Sequence, residues 1–391
     1  MKIPGKPLLA IDRLFWLPHR LAEMLLTSFG TVNPNHSDQV VIIKFIGLGS
    51  IIRFAGLCEK YHIDKSKITL LTLASNRELC DLLGFSNAWF IRTDNVILFI
   101  LDCMKQLSTI HSTLPKLIVD YERCSHAVGF YRTILTLFGK CKSVSFEIER
   151  SINNLQQTIY PADKITQEEI FIKGVDLMPT SPTPLQREII SIDRSKVLIN
   201  INSSNYLLAR RYPIGAFAEL ITFLHRTYPE HQFYLTGNSD EVGYVESLVS
   251  KIPNTPAHNV AGKWNLEKLS NELSTCALLI TCDSGPMHLG AYLGVATLTL
   301  WGPTQPAHFG YDETENLTHL SLKLSCSPCF RHPASQPAVA CQGRIDCLKN
   351  MSPKVVADKA ISLLSKTSLS RSVPSSFSKR VLKKNQFETS C

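Results

Sequence analysis

The feature that most constrains the fold is a rhythm of short apolar runs alternating with helical patterns, which occurs twice along the chain. In the first half, the patterns of buried strands lie at 40–45, 68–73, 88–92, 117–120 and 143–146. In the second half, they lie at 197–201, 232–235, 278–282 and 297–301. Continuous apolar strands joined by helices indicate a parallel sheet that is covered on both faces. The sequence therefore predicts an α/β protein with two Rossmann-like domains.

The stretch between the two series marks the domain boundary. Residues 150–195 lose the alternation and are punctuated by prolines, apart from a predicted short helix at 167–175. A length of 391 residues suits two domains of ordinary size. The predicted divisions are an N-terminal segment at 1–38, a first domain at 39–175, a linker at 176–195, a second domain at 196–365 and a tail at 366–391. Because ligands bind beyond the carboxyl ends of such strands, we expect a cleft between the domains.

The net charge of +8 is carried by the two ends of the chain. Residues 1–20 have a net charge of +3 and residues 366–391 a net charge of +5, so the body at 21–365 is balanced. A nucleic-acid-binding protein concentrates positive charge on a folded face, so this distribution argues against a nucleic-acid partner. Basic ends either bind an anionic membrane surface or are simply solvated.

An apolar stretch near the N-terminus, at 8–29, is interrupted by charged residues and a proline. It is a poor transmembrane span, and we expect no secretory signal. It forms either a short helix packed on the body of the protein or an interfacial helix that meets lipid. In the second case, the lipid-facing residues would be Phe15, Trp16, Leu21, Leu25 and Leu26.

One strand-to-helix turn has the pattern of a phosphate-binding site. An apolar run ends at Asp283, Ser284 and Gly285 follow as a turn, and Pro286 is suited to the first turn of a helix. The first amides of a helix lack internal partners and lie at the positive end of its dipole. Gly285 would let a diphosphate approach the backbone, and His288 would donate to a phosphate oxygen. An ordinary turn with a capping serine would show the same pattern.

The residues from 282 to 306 read CDSGPMHLGAYLGVATLTLWGPTQP. This run resembles the signature of family 9 glycosyltransferases, the lipopolysaccharide heptosyltransferase family, and a weaker resemblance extends over residues 40–365. The resemblance implies the GT-B fold, in which an N-terminal acceptor domain and a C-terminal donor domain face each other across a cleft. It also implies an inverting, metal-independent transfer with no required cofactor, from a nucleotide-diphosphate sugar that is typically ADP-heptose.

The resemblance also implies which residues bind the donor. They are Asn202, Arg210, Arg211, Gly237, Asp240, Asp283, Ser284, Gly285, His288, Gly302, Pro303 and Thr304. Arg210 stands at the family's basic position before an aromatic-Pro pair and would also stabilise the departing diphosphate, with Arg211 as the alternative. Two cations at a helix start are poorly placed unless an anion joins them. Asp240 or Glu241 would either bind the ribose or serve only as acids in the first turn of a helix.

The catalytic base is where the chain departs from the family pattern. The segment 43–50 resembles the family's strand followed by a GxxGD turn, but the glycine spacing is compressed to Gly47-Leu48-Gly49 unless Phe45 or Ile46 fills the first glycine position. Ser50 stands where the family has its presumed base, an aspartate. A serine is not a base at neutral pH without help. Asp120 and Glu122, at the end of a predicted strand, are the best substitutes, and Asp94 is a weaker one. Each acid could instead cap a helix or pair with a cation, and the enzyme could rely on leaving-group stabilisation or be impaired.

Four of the twelve cysteines form a cluster with the spacing C-x2-C-x11-C-x5-C. These are Cys326, Cys329, Cys341 and Cys347, within a predicted cysteine-rich loop at 326–347. The first pair has the spacing of a thiolate zinc site, whereas the second pair is looser than usual for zinc. The cluster is therefore a structural staple, made by zinc or by disulfides, or a set of free thiols.

Together these patterns predict a cytoplasmic glycosyltransferase, held at the inner face of the cytoplasmic membrane by its basic ends. Its donor would be a nucleotide sugar, with an ADP-sugar favoured, and its acceptor a lipopolysaccharide core or a related surface glycan. Because Ser50 replaces the family aspartate, a second hypothesis is an impaired family member. Such a protein would bind a nucleotide sugar or organise the assembly of envelope glycans.

Overall fold

The computed structural model describes residues 15–29, 31–45, 47–122, 126–147, 157–161, 187–203, 207–330 and 344–374. These residues belong to two compact units, 15–161 and 187–374. The predicted helix at 167–175 lies outside the described residues.

The first unit alternates strands and helices as predicted. Its strands are β1 (Ser37–Ile43), β2 (Ile68–Leu73), β3 (Asn87–Ile91), β4 (Pro115–Asp120), β5 (Lys142–Glu147) and β6 (Gln157–Pro161). Its helices are α1 (Trp16–Phe29), α2 (Leu48–Lys60), α3 (Arg77–Leu82), α4 (Val96–Thr113) and α5 (His126–Gly139). Local signals explain both ends of α4. The Asn95 side chain accepts hydrogen bonds from the amides of Ile97 and Leu98 at its start, and Pro115 begins β4 just after the helix ends.

The strands of the first unit form one parallel sheet in the order β3-β2-β1-β4-β5-β6. This is the strand order of a Rossmann sheet, in which the chain direction across the sheet reverses between the first and fourth strands. Ile43, the last residue of β1, pairs with Asp120, the last residue of β4. The two strand ends therefore meet at the switch point, where ligands of such sheets bind.

The second unit repeats the pattern. Its strands are β7 (Arg187–Ser191), β8 (Asp193–Asn200), β9 (Gln232–Thr236), β10 (Ala257–Asn259), β11 (Cys276–Cys282), β12 (Thr297–Trp301), β13 (Leu317–Ser321) and β14 (Ser370–Pro374). Its helices are α6 (Ile214–Thr227), α7 (Val242–Val249), α8 (Leu266–Thr275), α9 (Gly285–Leu293), α10 (Pro306–Phe309), α11 (Asp346–Lys349) and α12 (Pro353–Lys366). Short 3-10 turns at Leu208–Arg210 and Ser239–Glu241 precede α6 and α7.

Six of these strands form a parallel sheet in the order β10-β9-β8-β11-β12-β13, which has the same topology as the first sheet. Its switch point lies between β8 and β11, where Asn200 pairs with Thr281. All seven side chains of β11 are buried, as expected for a central strand covered on both faces. The predicted α/β class with two Rossmann-like units is confirmed.

A two-stranded antiparallel sheet, β7 with β14, was not predicted. It uses residues that the sequence assigned to the linker and to the basic tail. Arg371 in β14 is buried, and its guanidinium donates to the main-chain oxygens of Leu273, Ser274 and Cys276 at 3.2, 2.7 and 3.0 Å. These carbonyls lie in the last turn of α8 and at the residue that follows it, so the arginine caps the end of that helix.

Helix α1 lies on α5, as the packed-helix alternative expected. Phe15, just before the helix, places its ring 5.7 Å from that of Phe130. Leu26 is 1% exposed, so its prediction as a lipid-facing residue is wrong: it sits on the side of the helix that meets α5. Trp16, Leu21 and Leu25 are exposed, as the interfacial alternative expected. Among the helices that the structure describes, none is both long and apolar enough to cross a membrane.

Candidate active site

The phosphate-binding turn forms at the carboxyl end of β11. Ser284 has extended backbone, and α9 begins at Gly285, with Pro286 in its first turn. The Ser284 side chain makes no capping hydrogen bond, so the alternative of a capping serine is wrong. A Cβ atom placed on Gly285 would have no neighbouring atom within 4 Å. The amides that open α9 therefore lie beside open space, as a diphosphate site requires.

Asn200 organises the floor of this turn. Its Nδ2 atom donates to Ser284 Oγ at 2.9 Å, to Thr281 Oγ1 at 3.3 Å and to the Asn202 main-chain oxygen at 3.1 Å. The Thr281 and Ser284 hydroxyls are also within 2.9 Å of each other. These contacts fix the Ser284 hydroxyl inside the switch point, where it supports the turn. Asn200 and Thr281 end neighbouring strands, a juxtaposition that the sequence did not specify.

Two buried oxygen atoms of uncharged side chains near the ends of these strands have no hydrogen-bond partner among the described residues. These are Asn202 Oδ1 and Thr304 Oγ1. Asn202 is otherwise held by its Nδ2 atom, which donates to the Thr236 main-chain oxygen at 3.0 Å. A Cβ atom on Gly237 would lie 2.8 Å from that same Nδ2, so the glycine makes room for Asn202. Because native proteins satisfy nearly all buried polar atoms, both oxygens indicate contact with a group from outside the described chain.

Arg210 is paired with the acid that begins the turn. Its guanidinium nitrogen lies 3.2 Å from Asp283 Oδ2, and the Asp283 side chain is 4% exposed. Arg210 ends the short 3-10 turn that precedes α6, and Asp283 directly follows β11. The carboxylate therefore holds a permanent cation next to the positive end of α9, where an anionic leaving group would lie.

Unlike Arg210, Arg211 does not contact the acid of the turn but pairs with an acid near Gly237. Arg211 lies 3.3 Å from Glu241 Oε1 and places its guanidinium carbon 4.4 Å from the centre of the Tyr244 ring. Glu241 also accepts from the Asn238 amide at 2.9 Å and completes a capping box with Asn238. Asp240 is exposed in the same turn. This geometry favours the helix-start role for Glu241 over ribose binding.

His288 is oriented by a chain of groups that the sequence did not reveal. Its Nδ1 atom lies 3.2 Å from the Tyr311 hydroxyl, while His319 Nε2 lies 2.9 Å from the Tyr311 main-chain oxygen. Since a carbonyl only accepts, His319 donates through Nε2, and its Nδ1 accepts from Trp301 Nε1 at 3.1 Å. Burial lowers the pKa of His319, which favours this neutral form. Tyr311 is thereby held with its hydroxyl next to Nδ1 of His288; when that hydroxyl is the donor, the ring proton of His288 is on Nε2.

Gly302 and Pro303 fix the loop that carries the first cysteines. The Pro303 oxygen accepts the amides of Cys329 and Phe330 at 3.1 and 2.8 Å. A Cβ atom on Gly302 would lie 2.7 Å from the Leu348 side chain, so this glycine permits the close approach of α11. The described contacts of both residues are therefore structural, and in this segment Thr304 carries the unsatisfied oxygen.

The cysteine cluster is described at three of its four positions. Cys326 is exposed, Cys329 is half-buried and Cys347 is buried, and all three are free thiols; Cys341 lies outside the described residues. Within the part of the chain that the structure describes, no three His, Cys, Asp or Glu side chains form a group that could hold a metal ion. A disulfide among the three described cysteines is excluded, and the zinc hypothesis stays a prediction.

The corresponding edge of the first unit is built around ion pairs. Lys44, which follows β1, is 5% exposed, and its Nζ atom lies 3.0 Å from Glu122 Oε1. Glu122 Oε2 accepts from the Phe45 amide at 2.8 Å. Both carboxylate oxygens therefore already accept hydrogen bonds. Sequence analysis missed Lys44, although a lysine that ends an apolar strand is itself a signal of a buried partner.

Asp120 belongs to a second charged group beside the first. Its Oδ1 atom accepts from the Glu122 amide at 2.9 Å, and its Oδ2 atom lies 3.7 Å from Nε of Arg132. Arg132 is fully buried in α5 and also approaches Glu23 Oε1 and His19 Nε2 of α1, at 3.9 and 3.4 Å. These contacts favour the salt-bridge interpretation of Asp120 and tie α1 to the strand end.

Ser50 lies in the first turn of α2 and is half-buried. Its amide donates to the Gly47 oxygen at 3.0 Å, and Gly47 has a φ of 90°, a conformation that favours glycine. The turn thus has the shape that its glycines predicted, with a hydroxyl in place of a carboxylate. Asp94, the weaker substitute, is exposed just before α4.

The two Rossmann-like units, each with its own switch point, are the units from which the GT-B fold is built. Residues 160–340 match the family model of glycosyltransferase family 9 (heptosyltransferase). The predicted fold is confirmed, and the family match agrees with the resemblance seen in the sequence.

The chain is similar in sequence to lipooligosaccharide heptosyltransferase 2 of Campylobacter jejuni subsp. jejuni serotype O:2. The identity is 31% over 184 residues, which are 47% of this chain and 56% of the relative. The chain spans about half the length of the curated relatives it matches, or less.

Two solved structures have a similar fold. The family 9 glycosyltransferase of Veillonella parvula has a TM-score of 0.63 and 17% identity, with coverage of 86% of this chain and 100% of its own. The ADP-heptose lipopolysaccharide heptosyltransferase II of Escherichia coli has a TM-score of 0.58 and 15% identity, with coverage of 84% and 99%. At these identities the likeness concerns the fold alone.

Proposed function

We propose that this protein is an inverting glycosyltransferase that moves a heptose from a nucleotide-diphosphate donor to a hydroxyl group of a lipopolysaccharide core or related surface glycan. The observation that carries the proposal is the pairing of Arg210 with Asp283, 3.2 Å apart, at the start of α9. A permanent cation and a helix N-terminus there form an anion site of the kind that a diphosphate leaving group needs.

ADP-heptose is the favoured donor, because the similar Escherichia coli enzyme carries that donor in its name. Asn202 Oδ1 and Thr304 Oγ1, which are buried without partners among the described residues, would accept hydrogen bonds from the donor's hydroxyl or amino groups. His288 would donate to a phosphate oxygen through Nε2 when the Tyr311 hydroxyl donates to its Nδ1.

In the proposed reaction, the acceptor oxygen attacks the anomeric carbon while the bond from that carbon to the diphosphate oxygen breaks. Negative charge then grows on the departing diphosphate, where Arg210 and the amides of α9 stabilise it. Because Arg210 and the amides of α9 supply this positive charge, we propose that the reaction requires no metal ion. Configuration inverts because attack and departure occur on opposite faces of the sugar.

The acceptor proton needs a base, and Glu122 is the best-placed candidate, with Asp120 holding it in position. Both carboxylate oxygens of Glu122 already accept hydrogen bonds, one from the Lys44 ammonium and one from the Phe45 amide. Transfer in this protein would therefore depend mainly on the leaving group, with the proton lost late to Glu122. Ser50 would bind the acceptor hydroxyl as a hydrogen-bond partner.

The proposed acceptor is lipid-linked, as the names of the curated relatives suggest for those proteins. We place the protein in the cytoplasm, peripherally at the inner face of the cytoplasmic membrane, with no nucleic-acid partner. The support is the charge distribution, with a net charge of +3 in residues 1–20 and +5 in residues 366–391.

The test is a thermal-shift screen of ADP-, GDP- and UDP-sugars, followed by a transfer assay with the nucleotide that binds. A ligand at about 100 times its Kd stabilises the folded state by about 2.7 kcal/mol, which is readily detected as a rise in Tm. We expect ADP-heptose to give the largest rise and to be consumed with inversion at the anomeric carbon. If no nucleotide raises the Tm, the donor site proposed here is wrong.

A second candidate function is favoured by one observation: Ser50 supplies no carboxylate, while the neighbouring acids are engaged in ion pairs. Such a protein would bind the nucleotide sugar without transferring it and would organise the assembly of envelope glycans. The Ser50→Asp variant separates the two candidates. Turnover by the wild type that rises in Ser50→Asp supports the enzyme, whereas tight nucleotide binding without turnover in either form supports the binding protein.

The cysteine cluster is proposed as a structural staple of the donor-side loop, made by zinc or by a disulfide that includes Cys341. The Cys329 amide is anchored on Pro303, so a staple would stiffen the segment that carries Thr304. Metal analysis and thiol counting of the purified protein decide between zinc, a disulfide and free thiols.

A further inference from the structure

Helix α1 buries polar side chains and exposes apolar ones, the reverse of the usual amphipathic helix. The polar side chains of His19 and Glu23 are buried, while large apolar side chains point outward. Glu23, the helix's one acidic residue, is held within 4 Å of Arg20, Arg132 and His19. The exposed apolar residues are Trp16, Leu17, Leu21, Met24 and Leu25. A helix that packs on a body in water alone would turn its apolar stripe inward.

Helix α4 is apolar on both sides: Ile110, Cys103 and Leu107 pack in the core, while the outer side carries a second set of exposed apolar residues. Its one acidic residue, Asp102, is buried against Arg92, whose guanidinium lies 2.7 Å away and lowers the pKa of that carboxyl to about 2. The exposed apolar residues are Ile97, Phe99, Ile100, Leu101 and Met104. Four of these five recur at helical spacing, so they form one stripe along the outer side of the helix.

The two stripes lie on the same side of the first unit. Helices α1 and α4 both pack on α5, and α4 and α5 share one core with the β1 and β4 side chains of that face. Ten of the seventeen large apolar side chains that are exposed in the described part of the chain belong to α1 and α4. They are between 42% and 68% exposed, and we call them together the apolar helix surface. Apolar surface concentrated in this way marks an interaction site.

Charge indicates which partner fits this surface. The acids of both helices face inward, whereas Lys105 on α4 is exposed and residues 1–20, which lead into α1, have a net charge of +3. Trp16 stands at the start of α1, and tryptophan is enriched at membrane interfaces. Exposed apolar stripes next to positive charge, with no acid of the helices turned outward, are typical of interfacial helices on anionic lipid.

We propose that the apolar helix surface, formed by α1 and α4 together, docks the first unit on an anionic lipid bilayer. The proposal deepens the proposed function, since a lipid-linked acceptor would be presented at that bilayer. Membrane contact is then made by two folded helices and not by the basic ends alone. Glu23 of α1 contacts Arg132, and Arg132 contacts Asp120 at the end of β4. The docked helix α1 would therefore be connected, through these ion pairs, to the strand end proposed to face the acceptor.

The test is co-flotation of the full chain with vesicles of phosphatidylglycerol and phosphatidylethanolamine, without donor or acceptor. Vesicle binding and donor binding are measured separately, so failure of either proposal is recognised by itself. We expect the partition coefficient to fall about tenfold in Leu21→Ser/Leu25→Ser and about tenfold in Leu101→Ser/Met104→Ser, since each pair removes apolar area that would enter the lipid. The matched control is Val355→Ser/Leu369→Ser, two exposed apolar residues of the second unit, which should bind as the wild type does.

Each variant is first checked for an unchanged Tm, so that loss of vesicle binding cannot come from unfolding. Binding should weaken with rising salt and on neutral phosphatidylcholine vesicles, because part of the attraction is between charges. Equal binding to neutral and anionic vesicles would overturn the choice of an anionic lipid. Light scattering that shows a dimer in the wild type and a monomer in the variants, without vesicle binding, would assign the surface to a second copy and overturn the proposal.

Discussion

The switch points of the two sheets have the same topology and each holds an ion pair, Arg210–Asp283 at the second and Lys44–Glu122 at the first, but the surroundings of the two pairs differ. At the β8–β11 switch point, Gly285 borders open space and the oxygens of Asn202 and Thr304 have no partner among the described residues. At the β1–β4 switch point, Lys44 and Glu122 form a buried ion pair. An edge with unsatisfied polar atoms is prepared for a ligand, whereas an edge whose charges are paired is stabilised by its own contacts. The comparison suggests that the donor half is preformed and that the acceptor half is mainly structural.

The largest expected effect tests the structural half of this comparison. In Glu122→Gln, Lys44 loses its buried counter-ion, and the free energy of unfolding should fall by about 3–5 kcal/mol. The double variant Lys44→Met/Glu122→Gln should recover most of that stability, as measured by urea unfolding. If the double variant is stable and still transfers sugar, Glu122 is not the base. If it is stable and inactive while it still binds the donor, the proposed proton transfer is supported.

The next effect concerns the leaving group. Arg210→Ala should lower kcat/KM by about 100- to 1,000-fold, in the range found when one donor to a developing anion is removed. Arg226, exposed in the last turn of α6, gives the control variant Arg226→Ala. Steady-state kinetics with the cognate donor make the measurement, together with the Tm, because Asp283 loses its partner. Unchanged kcat/KM in folded Arg210→Ala would remove Arg210 from the mechanism.

A smaller effect probes the open space at the phosphate turn. The added methyl group of Gly285→Ala meets no protein atom within 4 Å, so the free protein should be as stable as the wild type. A diphosphate lying against this backbone would clash with it, and we expect the Kd for the nucleotide to rise about tenfold, or about 1.4 kcal/mol. Calorimetric titration gives the Kd. Gly215→Ala and Gly243→Ala, which also add a methyl group to open space, serve as controls and should bind normally.

The smallest effect tests the orientation of His288. Tyr311→Phe removes one hydrogen bond to Nδ1 while it keeps the ring contact, so nucleotide binding should weaken by about 1 kcal/mol, roughly fivefold. The loss should disappear in a His288→Ala background, where the histidine is no longer present to be oriented. If Tyr311→Phe weakens nucleotide binding just as much in the His288→Ala background, Tyr311 affects the nucleotide independently of His288.

Local patterns were enough to predict the two sheets and the turn at residues 283–288. Strand periodicity and helix-start signals depend on neighbouring residues, so they can be recognised in one sequence. The pairing of β7 with β14 was not predictable in this way, because it joins residues far apart in the chain. The same holds for Tyr311, which is 23 residues from His288 and carries no local signal of its contact.

The sequence also only partly determined the role of each charged side chain at the candidate site. The resemblance singled out Asp283, Arg210 and Glu241, but it could not tell an acid that holds an arginine from one that caps a helix. The folded chain separates them: Asp283 faces Arg210, while Glu241 completes a capping box. Whether a carboxylate is paired depends on which side chains long-range packing brings within hydrogen-bond distance.

The sequence by itself determined that the chain forms two α/β units and that a strand, a turn and a helix follow one another at residues 276–293 of the second, because alternation and the placement of glycine and proline are properties of neighbouring residues. Only the tertiary structure decided which charges are paired, that Lys44 is buried against Glu122, and that α1 and α4 expose apolar side chains. Those features depend on the packing of elements that are distant in sequence, and a local pattern contains no record of the neighbour that a side chain will meet.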